Sequence, residues 1–177
     1  MQTNYLLPLL LIATSPLVGI SQYCTSAGPS STFDSNIGSV ALTGETTSIA
    51  YTGCPGAVGT EDQTIQVADV IGGNSYSVDL VYGTCGGNYG NAAEVWIDFN
   101  GNQNFDANES IGTWAGTPTS PTESYSFTVP ANALNGTHRM RVMQQENGSI
   151  PLNPCGTFTW GSVTDFSITI TGGSSCI

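Results

Sequence analysis

The feature that most constrains the fold is the recurrence of short runs in which apolar and polar residues alternate. In "SYSVDLVY" (75–82) every second residue is large and apolar, and "DFSITI" (165–170) repeats the pattern. Clusters of Gly, Pro, Asn and Asp separate the runs, as turns do between strands. No long stretch shows the period of an amphipathic helix. The sequence therefore predicts a single all-β domain, an antiparallel β-sandwich of the jelly-roll or immunoglobulin-like type.

Composition divides the chain into segments. Residues 5–20 are apolar and small residues follow them, so we expect residues 1–21 to be a signal peptide that is removed. Residues 22–36 are polar and rich in Ser and Thr, which predicts an N-terminal arm or an irregular lead-in. The sandwich itself is expected over residues 37–171, and residues 172–177 are expected to form a C-terminal tail.

The charge of the chain excludes one class of partner and disfavours another. The net charge is −11 and lysine is absent, so that Arg139 and Arg141 are the only permanent side-chain cations. Nucleic acids are excluded, since phosphate binding needs clustered Lys and Arg, and anionic membrane surfaces are disfavoured for the same reason. The apolar N-terminal run is too short and too interrupted by proline for a membrane span. Low charge with abundant Ser, Thr, Asn and Gly suits a secreted protein, at an extracellular or cell-surface location.

The five cysteines all lie beyond the predicted signal peptide. In an oxidising compartment most of them should form disulfides. We expect the bonds Cys24–Cys54 and Cys85–Cys155, which leaves Cys176 free or bonded between chains. The alternative is that Cys176 closes a bond within the chain and another cysteine is left over. No group of Cys and His has the spacing of a zinc site.

The segment "DFNGNQNFDANE" (98–109) carries side-chain oxygens at the spacing of a calcium loop. They stand at positions 1, 3, 5, 7, 9 and 12, and only the glycine usual at position 6 is missing, where Gln103 stands. Calcium takes about six to eight hard oxygen ligands, and alternate residues of a tightly wound loop point inward to supply them. We therefore expect a structural Ca²⁺ site. Its ligands would be Asp98, Asn100, Asn102, Asn104, Asp106 and Glu109.

The runs "AEVWI" and "SIGTWAG" flank this segment, so the calcium loop would join strands rather than helices. The alternative is an Asx-rich hairpin turn, whose side chains hydrogen-bond their own backbone. Because Asn occupies positions 3 and 5, the charge of the ligands is lowered, and we expect a modest affinity that suits millimolar extracellular calcium. In the preceding strand Trp96 and Ile97 point to opposite faces, so at most one of them faces the sandwich core.

Four motifs follow one another in the second half of the chain: "AEVWIDFNGNQNFDANESI", "SFTVP", "GTHRMRVM" and "NPCGTFTWGSVTDFSITI". With the opening Tyr23-Cys24, this order resembles the GEVED domain of secreted bacterial proteins over most of residues 23–170. The resemblance implies a β-sandwich module of extracellular or surface proteins. Such modules often stand beside adhesive or enzymatic domains, and no catalytic role is established for the module itself.

The name-giving motif of that family stands here as "GSVTDF" (161–166), so hydroxyl residues replace both glutamates and only Asp165 is acidic. Any role of those glutamates is therefore not carried over. Arg139 and Arg141 match the arginines of the family's "G-x-x-R-x-R-V" strand and share a strand face, since they are two residues apart. The family arrangement would let one of them pair with Asp165 in a structural ion pair. The alternative is a sugar- or carboxylate-binding site.

The chain offers little for catalysis, and we expect no enzymatic activity. His138 is the only histidine and lies in a predicted strand, and no G-x-S-x-G nucleophile elbow is present. The clustered acids all lie in residues 98–109. The remaining acids are scattered and do not form the paired carboxylates of a glycosidase.

Sequons for N-linked glycans occur at Asn108, Asn135 and Asn147. Asn108 lies inside the predicted calcium loop, which disfavours modification there. The stretch "GTPTSPTES" (116–124) has the composition of O-glycosylated segments. The sequence therefore predicts that a secreted form carries covalently attached glycans.

Two functions are compatible with these features. Only a short tail follows residue 171, and we expect the module to stand without a sorting domain, wall anchor or catalytic partner domain. An exposed arm, open strand edges and an unpaired cysteine would help copies of it to join. The first hypothesis is therefore an extracellular structural protein, a self-assembling subunit of a filament or surface layer. The alternative is a secreted carbohydrate-binding or adhesive module that stacks sugars on Tyr51, Tyr89, Trp114 and Trp160.

Overall fold

The computed structural model describes residues 23–175, which form ten strands and one 3₁₀ helix. The strands are β1 (Gly28–Ser31), β2 (Ser35–Thr43), β3 (Ser48–Thr52), β4 (Thr60–Ile71), β5 (Ser75–Thr84), β6 (Asn91–Ile97), β7 (Ser110–Gly116), β8 (Glu123–Thr128), β9 (Gly136–Glu146) and β10 (Thr157–Thr171). The 3₁₀ helix, Ala107–Glu109, lies between β6 and β7. The predicted signal peptide and Cys176 lie outside the described residues. Within residues 23–175, no helix is long and apolar enough to cross a membrane.

The strands form two sheets that pack face to face, which confirms the predicted single-domain β-sandwich. In the larger sheet β10 is followed by β9, β6 and β7, while the other edge of β10 pairs with both β1 and β4. The smaller sheet has the order β3-β2-β5-β8. Most pairings are antiparallel, and only β1 and β4 run parallel to their partner. The 15-residue length of β10 allows this, since β1 pairs with its beginning and β4 with the remainder.

The alternating residues recognised in the sequence build the core between the sheets. All of the residues named below are fully or almost fully buried, and each Val, Leu, Ile, Phe or Met side chain among them contributes about 1.5–3 kcal/mol through removal from water. The larger sheet supplies Ala93, Val95, Ile97, Met140, Val142, Phe166, Ile168 and Ile170, and the smaller sheet supplies Val40, Leu42, Val78, Leu80 and Tyr82.

A second hydrophobic cluster lies on the outer face of the larger sheet. We call it the outer cluster; it consists of Ala92, Trp96, Phe105, Met143, Leu152 and Val163, with Tyr23 and Phe158 packed against it. Trp96 therefore belongs to the outer cluster and Ile97 to the interlayer core, as their opposite directions along β6 require. Because both of its faces are covered, every residue of β6 is buried.

The prediction of an arm over residues 22–36 is wrong for the described part, residues 23–36. Gly28–Ser31 form β1, and β2 begins at Ser35, which is buried. Asn36 is also buried, but its amide group donates to two backbone carbonyls and its oxygen accepts a backbone N–H. Polar composition gave the wrong prediction because the chain itself, rather than water, satisfies these polar groups.

Residues 172–175, the described part of the predicted tail, are attached to the sandwich. The Ser174 N–H donates to the carbonyl of Ala133, and the Ser174 carbonyl accepts the N–H of Asn135, both at 2.7 Å. The backbone therefore remains hydrogen-bonded beyond the end of β10.

Asp69 fixes the turn between β2 and β3. Its carboxylate accepts hydrogen bonds from the hydroxyls of Thr46 (2.7 Å) and Thr47 (3.0 Å) and from their backbone N–H groups. These bonds, led by that of the Thr46 hydroxyl, hold the pKa of Asp69 well below its ordinary value. A carboxyl with such a lowered pKa stabilises the fold while ionised, and its contribution is lost as the pH falls below about 4.

We therefore expect Asp69→Asn to melt at a lower temperature than the wild type near neutral pH, and the difference to shrink in acid. Thermal melts over a pH series measure this. Asp79→Asn, a matched change at an exposed aspartate of β5, is the control. A difference that is constant across pH would show that ionisation of Asp69 does not stabilise the turn.

Candidate functional site: the acidic loop and the face beneath it

The acidic loop, residues 98–109, joins β6 to β7 and begins with a buried carboxylate. Asp98 follows β6 directly and is fully buried. Its Oδ1 accepts the N–H of Gly101 (2.7 Å), and its Oδ2 accepts the N–H of Gln103 (3.0 Å) and the hydroxyl of Tyr23. Burial raises the pKa of the Tyr23 hydroxyl, and the hydrogen bond to Asp98 raises it further. The hydroxyl therefore stays protonated and donates to Asp98. Asp98 thus closes the loop on itself and ties it to the N-terminal segment.

Glu109 closes the other end of the acidic loop from inside. It is almost fully buried, and its Oε1 accepts the N–H groups of Phe99 (2.9 Å) and Asn100 (3.1 Å). Its Oε2 accepts the N–H of Asp106 (3.1 Å). Burial raises the pKa of Glu109, and the charges of Asp98 and Asp106 add to this, while the backbone N–H donors oppose it. The carboxylate is thus held in a place where an additional positive charge would be favourable.

Three of the predicted ligand positions meet at one oxygen. The side-chain amides of Asn100 (3.0 Å) and Asn102 (2.8 Å) both donate to Oδ2 of Asp106. The oxygens of Asn100 and Asn102 accept the N–H groups two residues further on, which makes two successive Asx turns. Asn104 lies apart from this group, since its side chain donates only to the carbonyl of Asn102.

Backbone conformation explains how the acidic loop winds without the glycine expected at position 6. Gln103 stands there with φ of 64°, in the left-handed region that glycine normally occupies. Gly101 also has a positive φ, 70°, which glycine adopts without a steric cost. The Asp98 carboxylate accepts the N–H groups of both residues, so these side chain to backbone bonds hold the winding.

The hydrogen bonds of the acidic loop are those of the Asx-rich alternative, and the calcium site stays a prediction. Among residues 23–175, no group of three or more His, Cys, Asp and Glu side chains is arranged to hold a metal. Asp98 and Glu109 are engaged by backbone N–H groups, whereas Asn100, Asn102 and Asp106 are exposed or half-buried. The donor set nevertheless consists of hard oxygens, which is the chemistry that Ca²⁺ prefers.

Arg141 lies under the acidic loop at the centre of the outer face, and it is completely buried. Its guanidinium donates to both oxygens of Asp165 (2.7 and 2.8 Å) and to the carbonyls of Pro154 (2.7 Å) and Cys24 (2.9 Å). It also lies 4.9 Å from the ring centroid of Phe105, which comes from the loop. One side chain therefore joins β9, β10, the N-terminal segment and two loops.

Arg139 lies on the same face of β9, as its spacing from Arg141 requires. It donates to Oδ2 of Asp165 (3.1 Å), its side chain is 25 % exposed, and it stacks over the ring of Tyr23 at 4.6 Å. The structure therefore brings both arginines to Asp165. Arg139 lines a cavity of about 340 Å³ together with Asp62 and Asp165. Because two carboxylates already surround the guanidinium, a carboxylate ligand is disfavoured in this cavity.

The disulfides differ from the predicted pairing. The structure pairs Cys24 with Cys155 and Cys54 with Cys85, with a Cα–Cα distance of 5.6 Å in each bond. The prediction of Cys24–Cys54 and Cys85–Cys155 is therefore wrong, although it named the same four residues. Arg141 explains the first bond, because its contacts to the carbonyls of Cys24 and Pro154 bring the N-terminal segment beside the loop before β10. Such a contact between distant segments leaves no signal in the cysteine spacing.

The three sequons differ in accessibility. Asn108 and Asn147 are exposed. Asn135 is half-buried, and its side chain both accepts the N–H of Gly173 (2.8 Å) and donates to its carbonyl (3.2 Å). A glycan at Asn135 would break this contact, so Asn147 is the sequon best placed for modification.

The aromatic residues considered for sugar stacking also divide into two groups. Tyr51 is buried, and Trp114 stacks on Tyr82 with 4.9 Å between the ring centroids. Tyr89 and Trp160 are 50 % and 41 % exposed. Only these two of the four could therefore meet a sugar ring without rearrangement.

Tyr23 and Glu94 also contribute to this region, although no sequence motif predicts a site role for either. Tyr23 contacts Asp98 and Arg139, while Glu94 is buried and accepts the hydroxyl of Ser110 (2.7 Å) and the N–H of Leu152 (2.8 Å). The position of Glu94 is predictable from the alternation of side chains along β6, because Glu94 points to the same face of the strand as Trp96. His138, the only histidine of the sequence, is buried in β9, and its Nε2 is 2.7 Å from the Leu134 carbonyl oxygen.

Comparison with known proteins supports the interpretation of the motifs. A family model described as GEVED domain matches residues 92–169, which contain the acidic loop, both arginines and Asp165. A comparison with curated proteins finds no match. Residues 92–169, from β6 to β10, are the part of the chain that matches the GEVED domain family.

Proposed function

We propose that this protein is an extracellular structural subunit that associates with copies of itself and whose acidic loop binds Ca²⁺. Two disulfides within the described residues are compatible with an oxidising, extracellular compartment. The observation that carries the proposal is a group of exposed apolar side chains along one side of the sandwich. We call this group the apolar side; it consists of Phe33, Val58, Ile65 and Trp160.

The apolar side follows the edge of β10 that pairs with β1 and β4. Trp160 lies opposite Ser31 at the end of β1, so that Phe33 is two residues beyond that pairing. Val58 lies two residues before β4, which begins opposite Val163. The end of β1 and the start of β4 are therefore neighbours along one strand edge, and Phe33 and Val58 belong to the segments that meet there.

Ile65 extends the apolar side along β4. The pairing of β4 with β10 is interrupted between Asp62 and Val67, and Ile65 lies in this bulge with 89 % of its surface exposed. Phe33 and Val58 are 77 % and 63 % exposed. Large apolar side chains in such numbers on one side are characteristic of an interaction surface. Because the chain is strongly acidic, mutual repulsion would oppose association at low ionic strength, and calcium or salt would relieve it.

Sedimentation velocity at several protein concentrations, with electron microscopy of the same samples, tests self-association. We expect oligomers or filaments in the wild type at physiological salt with calcium, and their loss in Phe33→Asp and in Ile65→Asp. Ile150→Asp is the matched control, since Ile150 is 40 % exposed but lies in the loop after β9, outside the apolar side. Monomers under all conditions, or an equal effect of the control, would contradict the proposal.

Calcium binding to the acidic loop is tested by calorimetric titration and by thermal melts of the calcium-stripped protein. Ca²⁺ would offset two of the three negative charges of Asp98, Asp106 and Glu109, with the asparagine oxygens completing the shell. At about ten times the dissociation constant we expect a gain of about 1.4 kcal/mol in stability. Asp106→Asn should reduce this gain, and Asp79→Asn should leave it unchanged. The absence of both heat and stabilisation at millimolar calcium would contradict the loop site.

Carbohydrate binding is the second candidate, and the position of two exposed aromatic residues favours it. Tyr89 lies two residues before β6, and Trp160 precedes Gly161, which pairs with Gln145 near the end of β9. Both are therefore placed at the same end of the larger sheet. We expect binding to defined glycans by the monomer, and its loss in Tyr89→Ala and Trp160→Ala, if this function is correct. The change Phe33→Asp would then leave glycan binding intact.

A further inference from the structure

A group of polar side chains lies between the two sheets, at the end of β6 opposite to the acidic loop. We call it the interlayer polar group; it consists of Ser35, Asn91, Gln144 and Glu146. In the larger sheet Asn91 lies opposite Glu146, and Gln144 lies two residues before Glu146, on the same face of β9. On the smaller sheet Ser35 and Gly83 are diagonal neighbours across β2 and β5. The four side chains therefore face the same end of the interlayer space.

Three hydrogen bonds cross between the sheets at this group. The Asn91 amide donates to Oγ of Ser35 (2.8 Å), and the Gln144 amide donates to the carbonyl of Gly83 (3.1 Å). The Ser35 hydroxyl in turn donates to Glu146 (3.3 Å). The bonds of Ser35 place the Asn91 amide and the Glu146 carboxylate next to its hydroxyl, and the strand register places Gln144 two residues before Glu146 on the same face of β9.

Two buried oxygens of the group have no hydrogen-bond partner. Within residues 23–175, Asn91 Oδ1 and Gln144 Oε1 are two of the three buried side-chain polar atoms without a partner. Their orientations are fixed, because the NH₂ of Asn91 donates to the carbonyl of Tyr89 (2.8 Å) and that of Gln144 to the carbonyl of Gly83. If the oxygen and nitrogen of either amide were exchanged, the amide oxygen would face a carbonyl oxygen, and neither atom could donate a hydrogen bond. Buried acceptors of this kind are costly, so a positively polarised ligand is expected beside them.

The charge at this end is negative, and no side chain balances it. Burial raises the pKa of Glu146, and the charge of Asp34 adds to this. The chain has no lysine, and both of its arginines are committed to Asp165 on the outer face. A water molecule could donate to the two amide oxygens but would not offset the carboxylate. A metal cation would do both, since it binds neutral and charged oxygens alike.

We propose that Asn91 Oδ1, Gln144 Oε1 and the carboxylate of Glu146 form a cation site for Ca²⁺ between the two sheets, separate from the acidic loop. The Ser35 hydroxyl oxygen is a further hard donor within the group. Solvent would complete the shell, because a surface cavity of about 580 Å³, lined in part by Asn91, Gly116 and Asn147, opens at this end. A bound cation would link β6 and β9 of one sheet to β2 of the other, and would therefore stabilise the sandwich itself.

Calorimetric titration of the full calcium-stripped chain, with variants of each site, tests the proposal. In Asp106→Asn, which weakens the acidic loop, one binding event should remain. Adding Glu146→Gln to that variant should weaken the remaining event about tenfold or more, because the charged ligand is lost. Glu123→Gln in the same background is the matched control on β8 and should have no effect. Loss of all binding in Asp106→Asn alone would overturn the interlayer site while supporting the loop site.

A crystal structure grown with calcium provides a measurement that does not depend on the folding of any variant. We expect anomalous scattering from a calcium ion within bonding distance of Asn91 Oδ1 and Gln144 Oε1. Gln144→Met, which keeps the length of the side chain but lacks the oxygen, should lose this signal and retain that of the acidic loop. A water molecule alone at this position in the wild type, at millimolar calcium, would overturn the proposal.

Discussion

Arg141→Met is expected to lower the free energy of unfolding by about 3–5 kcal/mol, because it leaves the buried carboxylate of Asp165 without its main partner. Arg141 is completely buried, and its guanidinium also satisfies the carbonyls of Cys24 and Pro154. The change therefore removes a charge and leaves several acceptors unpaired in a place that water does not reach. Urea denaturation measures the loss as a lower midpoint at an unchanged slope.

Arg139→Met is the matched control, since the same change is made two residues away on the same strand face. Arg139 also contacts Asp165, but its side chain is 25 % exposed, so we expect a loss of about 1 kcal/mol or less. Adding Asp165→Leu to Arg141→Met should recover part of the stability, because the two charges then leave the interior together. Equal losses in the two arginine variants would show that Arg141 does not organise the outer face.

Removal of the Cys24–Cys155 disulfide is expected to cost about 5 kcal/mol in the loop-entropy description, and removal of Cys54–Cys85 about 3.7 kcal/mol. The difference arises because the first bond spans 131 residues in sequence and the second spans 31. Paired alanine substitutions, Cys24→Ala with Cys155→Ala and Cys54→Ala with Cys85→Ala, allow the two losses to be compared by denaturation.

The first bond should also affect the neighbouring ion pair. Because Arg141 donates to the Cys24 carbonyl, loss of Cys24–Cys155 should reduce the effect of Arg141→Met when both changes are combined. Peptide mapping without reduction identifies the bonds directly, and we expect Cys24 linked to Cys155 and Cys54 linked to Cys85. A larger loss for Cys54–Cys85, with native pairing in the remaining bond, would contradict the entropic ranking.

The acidic loop was predictable in its composition and limits, but not in its hydrogen bonding. The spacing from Asp98 to Glu109 identified the segment, and the structure brings Asn100 and Asn102 to Asp106 within it. The carboxylates of Asp98 and Glu109, at the two ends of the loop, accept hydrogen bonds from backbone N–H groups. Asp98 also accepts the hydroxyl of Tyr23, which comes from the N-terminal segment. A partner that lies 75 residues away in the chain has no counterpart in local spacing.

The sequence by itself determined most of the strands, the sandwich and the faces to which their residues point, because alternation with period two is a local property of an extended chain. It therefore placed Trp96 and Ile97 on opposite faces and Arg139 and Arg141 on the same one. Only the tertiary structure decided what covers the outer face, which cysteines pair, and that residues 23–36 belong to the sandwich. These features depend on contacts between distant segments, and Arg141 and Asn91 acquire their partners only when the two sheets and their loops have packed.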